Sequence, residues 1–137
     1  DTLSFLDSSL FKEHWTKQNY KDELLLNPFA KIFIYYVDDK PVGYIDFMIT
    51  FNTSTISKIG VLKDYQRKGI ASKLLSKMIS TFPNNIEDMV ETITLEVRKS
   101  NTNALTFYQK NGFEVSHIIK NYYKDGEDAC YCVKRMI

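Results

Sequence analysis

The sequence predicts an α/β fold in which a mixed, mainly antiparallel sheet is flanked by helices. Segments with strand character precede and follow two segments with helical periodicity, and neither repeats nor low-complexity tracts interrupt this order. The 137 residues, 44% of them hydrophobic and 26% charged, are enough to enclose one core. We therefore expect a single domain over residues 1–137.

The first half of the chain predicts two helices and then three strands. Residues 4–13 and 16–26 have moderate helical periodicity. IFIYYV at 32–37, the turn DDKP and VGYIDFMITF at 42–51 predict an antiparallel hairpin, and TISKIGVL at 55–62 predicts a third strand after the short linker NTS.

The second half begins with the clearest amphipathic helix. From Gly69 onward, one helical face carries apolar residues at a spacing of three to four, until Pro83 ends the pattern; they are Ile70, Leu74, Leu75, Met78, Ile79 and Phe82. A strand at 92–98, a helix at 102–111 closed by Gly112, and strands at 113–120 and 128–136 complete the predicted order.

Composition and charge exclude several classes of protein. A formal net charge of +1 argues against a general nucleic-acid binder. No apolar run approaches the roughly 18 residues of a membrane span, and the first residues lack a signal-peptide pattern, so we expect a cytoplasmic protein without a membrane partner. Cys130 and Cys132 share one face of a strand and are expected to be reduced thiols. His14 and His117 form no metal-ligand spacing with them, so no metal is assigned.

The stretch VLKDYQRKGIASKLL, at 61–75, is chemically the most pointed part of the sequence. A strand, a basic turn with one glycine and a helix start together form an anion site, because the first helical N–H groups lack partners and the helix dipole favours negative charge. An ordinary exposed turn is the alternative interpretation. Neither GxxxxGK[ST] nor GxGxxG is present, which disfavours a nucleotide triphosphatase or a dinucleotide enzyme.

Two motifs resemble the GNAT acyltransferases. Gln66-Arg67-Lys68-Gly69-Ile70-Ala71 resembles their QxxGx[GA] pyrophosphate motif, and LEVRKSNTNALTFYQKNGF with NYYKDGEDA is similar to the bacterial RimI type, which acetylates the N-terminal alanine of a small-subunit ribosomal protein. The similarity runs from about residue 29 to 136. It implies the GNAT fold, with splayed strands that form the acetyl-CoA site, acetyl-CoA as the acetyl donor and coenzyme A as the product.

The resemblance also implies the residues that contact acetyl-CoA. Main-chain groups of Ile59, Gly60 and Val61 would pair with the pantetheine arm, and the Val61 N–H would polarise the thioester carbonyl. Asn101 matches a cofactor-contacting asparagine, and it can also cap the helix that follows. The pyrophosphate would be held by the amides of Arg67, Lys68, Gly69, Ile70, Ala71 and Ser72, although the charges of Arg67 and Lys68 can equally be solvated.

The resemblance assigns the chemistry to Glu96 as general base and Tyr108 as general acid. Strand alternation already places Glu96 on the face opposite Ile93, Leu95 and Val97, where a solvated carboxylate is the alternative. Tyr108 can also be a core residue. Tyr122 and Tyr123 are candidates for the acceptor groove, with packing as the alternative.

The acceptor is expected to be a protein N-terminus. An α-amino group has a pKa of roughly 7.7 to 8.0 and lysine one near 10.4, so deprotonating lysine near pH 7 costs roughly 3 kcal/mol more. A GNAT enzyme that acetylates a lysine, a polyamine or a drug amine is the second interpretation. A non-catalytic module that binds acetyl-CoA is the third, which the presence of Glu96 and Tyr108 disfavours.

Overall fold

The computed structural model describes residues 30–137, so the helices expected at 4–13 and 16–26 lie outside the described residues. Six strands and two helices follow in the predicted order, together with the short 3₁₀ turns Lys63–Tyr65 and Ile86–Asp88. The elements are β1 (Ala30–Val37), β2 (Lys40–Thr50), β3 (Thr53–Val61), α1 (Ile70–Ser80), β4 (Thr92–Arg98), α2 (Thr102–Lys110), β5 (Glu114–Ile119) and β6 (Ala129–Arg135).

The strands form a six-stranded sheet in the order β1-β2-β3-β4-β6-β5. Strand β3 runs parallel to β4, whereas the β1–β2, β4–β6 and β5–β6 pairs are antiparallel. The predicted mixed, mainly antiparallel sheet is thus confirmed. Neither helix within residues 30–137 is long and apolar enough to cross a membrane.

Contacts within the described chain group into two compact units. The first contains residues 30–49 and 56–83, and the second contains Thr50–Thr55 and Asn84–Ile137. Strand β3 contributes to both, with its first three residues in the second unit. The expectation of one domain over residues 1–137 stays a prediction.

The first unit contains the β1–β2 hairpin and α1. Asp38 and Asp39 form the hairpin turn, and both adopt the left-handed conformation, with φ of 50° and 64°. The predicted four-residue turn DDKP was therefore too long, because Lys40 and Pro41 already belong to β2. Helix α1 buries Ile70, Leu74, Leu75 and Met78 as predicted, but it ends at Ser80 and leaves Phe82 outside.

The second unit is built around β4, which spans the predicted residues. Ile93, Leu95 and Val97 are buried, while Glu96 and Arg98 on the other face are half-buried. Strand β3 begins at Thr53, two residues earlier than predicted, because the preceding turn contains only Phe51 and Asn52. Its pairing with β4 covers Thr53–Thr55 against Thr92–Thr94.

The two cysteines lie on β6 inside the second unit. Cys130 and Cys132 are both buried and both free. Each faces an apolar residue of β4 in the strand register, Val97 and Leu95 respectively. Their surroundings are those of small core residues.

Candidate active site

The basic turn of the first unit forms an exposed helix N-terminus. Arg67 and Gly69 both have positive φ, 63° and 79°, and Gly69 is the N-cap residue of α1. No side chain of residues 30–137 caps this end, so the amides of Ile70, Ala71 and Ser72 are available to a ligand. A Cβ added at Gly69 would meet nothing within 4 Å, which leaves open space at the start of the helix.

Cations surround this turn. The ammonium group of Lys68 lies 5.4 Å from the centre of the Tyr65 ring, and that of Lys40 lies 5.5 Å from the same ring. Arg67 is exposed. Backbone N–H groups, a helix dipole and nearby positive charge suit a pyrophosphate, so the turn fits the diphosphate of acetyl-CoA.

The end of β3 is tied to the turn by a residue that was not assigned to the site from the sequence. The side-chain Nε2 of Gln66 donates to the main-chain oxygen of Val61 at 2.9 Å. Ile59 and Gly60 are half-buried on the same strand end, and Val61 is buried. The signal was present, because Gln66 is the first residue of the motif. The structure thus brings Ile59–Val61 and the turn together in the first unit.

Glu96 lies on β4 in the second unit. Burial raises the pKa of its carboxyl above the ordinary value, and a hydrogen bond with its own backbone amide partly opposes that rise. A half-buried carboxyl with a raised pKa is a better proton acceptor than a fully solvated one. The position suits the base role, which stays a prediction.

Tyr108 lies on α2 and is only 6% exposed. Its ring makes edge contacts with Phe107 and Phe113, both at 5.4 Å between ring centres. Burial strongly raises the pKa of its hydroxyl, and the neighbouring Cys132 and Tyr123 raise it further. The hydroxyl therefore stays protonated near neutral pH and can act as a proton donor.

Asn101 is the N-cap residue of α2. Its side-chain oxygen accepts a hydrogen bond from the Ala104 N–H at 3.1 Å, which confirms the capping role foreseen from the sequence. Its contact with acetyl-CoA stays a prediction.

Tyr122 and Tyr123 follow β5 and form an edge-to-face pair with ring centres 5.0 Å apart. Tyr122 is 48% exposed, whereas Tyr123 is half-buried. Burial raises the pKa of both hydroxyls, that of Tyr123 to about 12, and the charge of Glu96 adds to each rise. The Cζ of Arg98, two residues after Glu96 on β4, lies 4.0 Å from the centre of the Tyr123 ring, so the tyrosine pair packs against the strand that carries Glu96.

Within residues 30–137, no group of three or more histidine, cysteine, aspartate or glutamate side chains could hold a metal ion. The candidate residues thus form two sets, each described within its own unit. The first offers an anion-binding helix start, and the second offers a carboxyl, a neutral phenol and an aromatic pair.

Comparison with known proteins identifies relatives over most of the chain. Residues 2–113 match the family model described as "Acetyltransferase (GNAT) family". An N-alpha-acetyltransferase of Saccharolobus solfataricus is 38% identical over 71% of this chain and 64% of its own length. The chain thus spans somewhat less than two thirds of that relative.

Two further similarities cover nearly the whole chain. The Bacillus subtilis protein named "Putative [ribosomal protein bS18]-alanine N-acetyltransferase" is 32% identical, with 94% of this chain and 84% of its own covered. The solved structure of Arabidopsis thaliana Naa50 with the bisubstrate analogue CoA-Ac-MVNAL superimposes with a TM-score of 0.80 at 28% identity, covering 98% of this chain and 90% of that one.

Proposed function

The chain belongs to the GNAT acetyltransferase family, and from that premise we propose that it transfers the acetyl group of acetyl-CoA to the α-amino group of a protein N-terminus. The names of two relatives support this acceptor class, since both are N-terminal or alanine N-acetyltransferases. The observation in the structure that carries the proposal is the stacking of Tyr123 on Arg98, whose side chain leaves β4 two residues after Glu96 and on the same face.

This cluster has the chemistry that an amine acceptor needs. The carboxyl of Glu96 supplies a proton acceptor with a raised pKa. The tyrosine pair, stacked on Arg98 through Tyr123, supplies an apolar lining and hydroxyl groups, which suit the first residue and the backbone of a peptide. An ammonium group that enters is attracted by the carboxylate and loses its proton there.

The first unit binds the donor substrate. Acetyl-CoA supplies a thioester, whose carbonyl carbon accepts the amine directly. The amides of Ile70, Ala71 and Ser72 bind the pyrophosphate at the start of α1, together with the turn from Arg67 to Gly69. The strand end Ile59–Val61 binds the pantetheine arm through its main chain, and the Val61 N–H stabilises negative charge on the carbonyl oxygen.

The second unit carries the proton transfers. Glu96 takes a proton from the incoming amine, directly or through water, which leaves the nitrogen lone pair free to form the new N–C bond. As the C–S bond breaks, Tyr108 donates its proton to the departing sulfur, and the second proton that the nitrogen loses restores the Tyr108 hydroxyl, while Glu96 releases its proton to solvent. Asn101 contacts acetyl-CoA at the start of α2, where its side chain also caps the helix.

The same relatives support a finer identity for the acceptor. We propose a protein N-terminus that begins with a small residue, alanine first, and a ribosomal protein as the natural partner, as the name of the Bacillus subtilis relative suggests for that protein. The amine must come within about 3.5 Å of the thioester carbon, so a bulky first side chain would hold it away.

A peptide panel tests this function. Acetyl-CoA is offered with peptides that differ at residue one, with the same peptides blocked at the N-terminus but containing an internal lysine, and with polyamines and aminoglycosides, while free thiol release is followed. Peptides that begin with alanine or serine should exceed those that begin with leucine or phenylalanine in kcat/KM. A faster reaction with the blocked peptide or with a polyamine would contradict the N-terminal assignment.

A further inference from the structure

The guanidinium of Arg98 makes several polar contacts with the connection between β5 and β6. We call residues 120–128, which join β5 to β6, the acceptor segment. We propose that Arg98 is a positioning residue that fixes this segment on β4 and so sets the affinity for the peptide acceptor. This inference rests on the proposed function, because the segment carries Tyr122 and Tyr123.

The guanidinium of Arg98 contacts three residues of the acceptor segment. Its Nη1 donates to both carboxylate oxygens of Asp125, at 3.1 and 3.0 Å, and to Oε1 of Glu127 at 2.9 Å. Its Cζ also lies 4.0 Å from the centre of the Tyr123 ring. The Arg98 side chain thus contacts the acceptor segment through two carboxylates and one aromatic ring.

Arginine is suited to this combination of contacts. A planar guanidinium can stack its face on a ring while its edge donates to carboxylates, whereas the compact ammonium of lysine cannot do both. The side chain of Arg98 is only 16% exposed and that of Glu127 21%, so water screens this pair less than a surface ion pair. The Asp125 contact is more open, since its side chain is 45% exposed.

The acceptor segment is folded as one piece. The Tyr123 N–H donates to the main-chain oxygen of Glu127 at 3.1 Å, and the Gly126 N–H donates to that of Tyr123 at 2.9 Å. The Glu127 N–H donates to Asp125 Oδ1 at 3.1 Å. Because these bonds close a compact turn, holding Asp125 and Glu127 also holds the two tyrosines.

A second contact fixes Glu127 to the end of β4. Its Oε2 accepts a hydrogen bond from the Ser100 N–H at 3.0 Å, while Oε1 faces Arg98. Arg98 itself is two residues after Glu96 on the same strand, so both side chains leave the same face. The tyrosine pair and the carboxyl of Glu96 are therefore both positioned by β4.

Removing the guanidinium should make the acceptor segment more mobile and leave acetyl-CoA binding unchanged. We expect Arg98→Met to raise the KM for an alanine-first peptide about tenfold, while the KM for acetyl-CoA and kcat at saturating peptide change less than about twofold. Arg98→Lys should fall between the two, since it keeps the charge without the stacked fork. Arg135→Met, which removes an exposed arginine from β6, is the matched control and should change neither KM.

Hydrogen exchange supplies a readout that does not depend on activity. In Arg98→Met, the amides of Tyr123 and Gly126 should exchange about tenfold faster, with the amides of β4 unchanged. If Arg98→Met does not fold, the variants of its two partners, Asp125→Asn and Glu127→Gln, provide the same test. Each should raise the peptide KM, and their effects should be non-additive with that of Arg98→Lys.

The outcomes separate this proposal from the one it rests on. Faster exchange together with a higher peptide KM supports the positioning role. Unchanged exchange at Tyr123 and Gly126 would show that Arg98 does not fix the acceptor segment. Faster exchange with an unchanged peptide KM would show that fixing the segment does not set the affinity for the acceptor. If the wild-type enzyme acetylates no peptide N-terminus but uses another amine, the proposed function fails. The positioning role of Arg98 is then tested by hydrogen exchange and by the KM for that amine.

Discussion

The side-chain amide of Gln66 donates a hydrogen bond to the main-chain oxygen of Val61 across the 3₁₀ turn Lys63–Tyr65, at 2.9 Å. This bond joins the strand end proposed for the pantetheine arm to the turn proposed for the pyrophosphate. The spacing of the two halves of the donor site therefore depends on one side chain that need not touch acetyl-CoA.

Gln66→Leu removes this donor while nearly keeping the size of the side chain. The loss of one partly buried hydrogen bond, about 0.5 to 1.5 kcal/mol, should weaken acetyl-CoA binding roughly two- to tenfold. Calorimetry with acetyl-CoA measures it, and Gln109→Leu on the exposed face of α2 is the control. An affinity equal to that of the wild type would mean that the turn keeps its position without Gln66.

Gly69→Ala tests the anion site itself. Gly69 has a φ of 79°, and an added Cβ would meet no atom of the protein, so the change costs backbone strain and fills the space kept for the ligand. We expect about a tenfold or greater loss of acetyl-CoA affinity. Gly126→Ala is the matched control, because Gly126 has a φ of 88° and equally open surroundings.

The two glycine variants should lose similar stability but differ in binding. If Gly126→Ala weakens acetyl-CoA binding as much as Gly69→Ala does, the effect is general strain, and the pyrophosphate does not lie at the start of α1. Thermal unfolding of both variants, measured without ligand, establishes that the comparison is fair.

Glu96→Gln should lower kcat/KM about 100-fold near pH 7, where the amine arrives protonated. Activity should partly recover by about pH 9, because an α-amino group with a pKa of roughly 7.7 to 8.0 is then neutral without help. Rates across this pH range measure the effect, with Glu114→Gln on exposed β5 as the control. A loss that does not depend on pH would argue against a base role.

Glu96→Gln should also change the pH dependence of stability. Burial raises the pKa of Glu96 in the folded protein, so its ionisation is disfavoured by folding. The favourable contribution of the protonated group is full below the ordinary glutamate pKa and is lost as pH rises through the raised one. The variant should therefore have a higher Tm than the wild type near pH 7.5 and an equal Tm near pH 4.

Tyr108→Phe removes the hydroxyl and keeps the ring contacts with Phe107 and Phe113. We expect kcat to fall about 100-fold at every pH, while the Tm changes little. Because the pKa of the Tyr108 hydroxyl is strongly raised, the wild-type rate should not fall through its ionisation up to about pH 10. Tyr131→Phe, which removes another half-buried hydroxyl of this unit, is the control.

The rate-limiting step must be known before kcat of Tyr108→Phe is interpreted, because slow product release would hide a change in the rate of acetyl transfer. Single-turnover measurements with saturating acetyl-CoA isolate the transfer step. A wild-type single-turnover rate in Tyr108→Phe would eliminate the acid role.

Strict alternation made β4 the most predictable element. Ile93, Leu95 and Val97 are apolar at a spacing of two, and each is buried in the structure. The hairpin turn was less predictable. Proline is common in turns, yet Pro41 pairs with Tyr36 in the β1–β2 register. Pairing across the hairpin, rather than local composition, decides that boundary.

The candidate site was predictable where motifs are local and unpredictable where partners are distant. The helix start at Gly69 follows from a few adjacent residues, so the sequence indicated an anion site before any resemblance was used. Glu96 was singled out only through the resemblance. The partners of Arg98 lie 27 and 29 residues further along the chain, and no periodicity in one sequence connects them.

The short parallel ladder between β3 and β4 has a consequence for the order of folding. It joins residues 39 positions apart, such as Thr53 and Thr92, whereas the β1–β2 hairpin is closed by Asp38 and Asp39 alone. Closing a long loop loses more chain entropy before any contact is gained, so the hairpin should form early and the ladder late. Weakening the ladder, for instance through the paired hydroxyls of Thr55 and Thr94, should therefore speed unfolding and leave the refolding rate nearly unchanged.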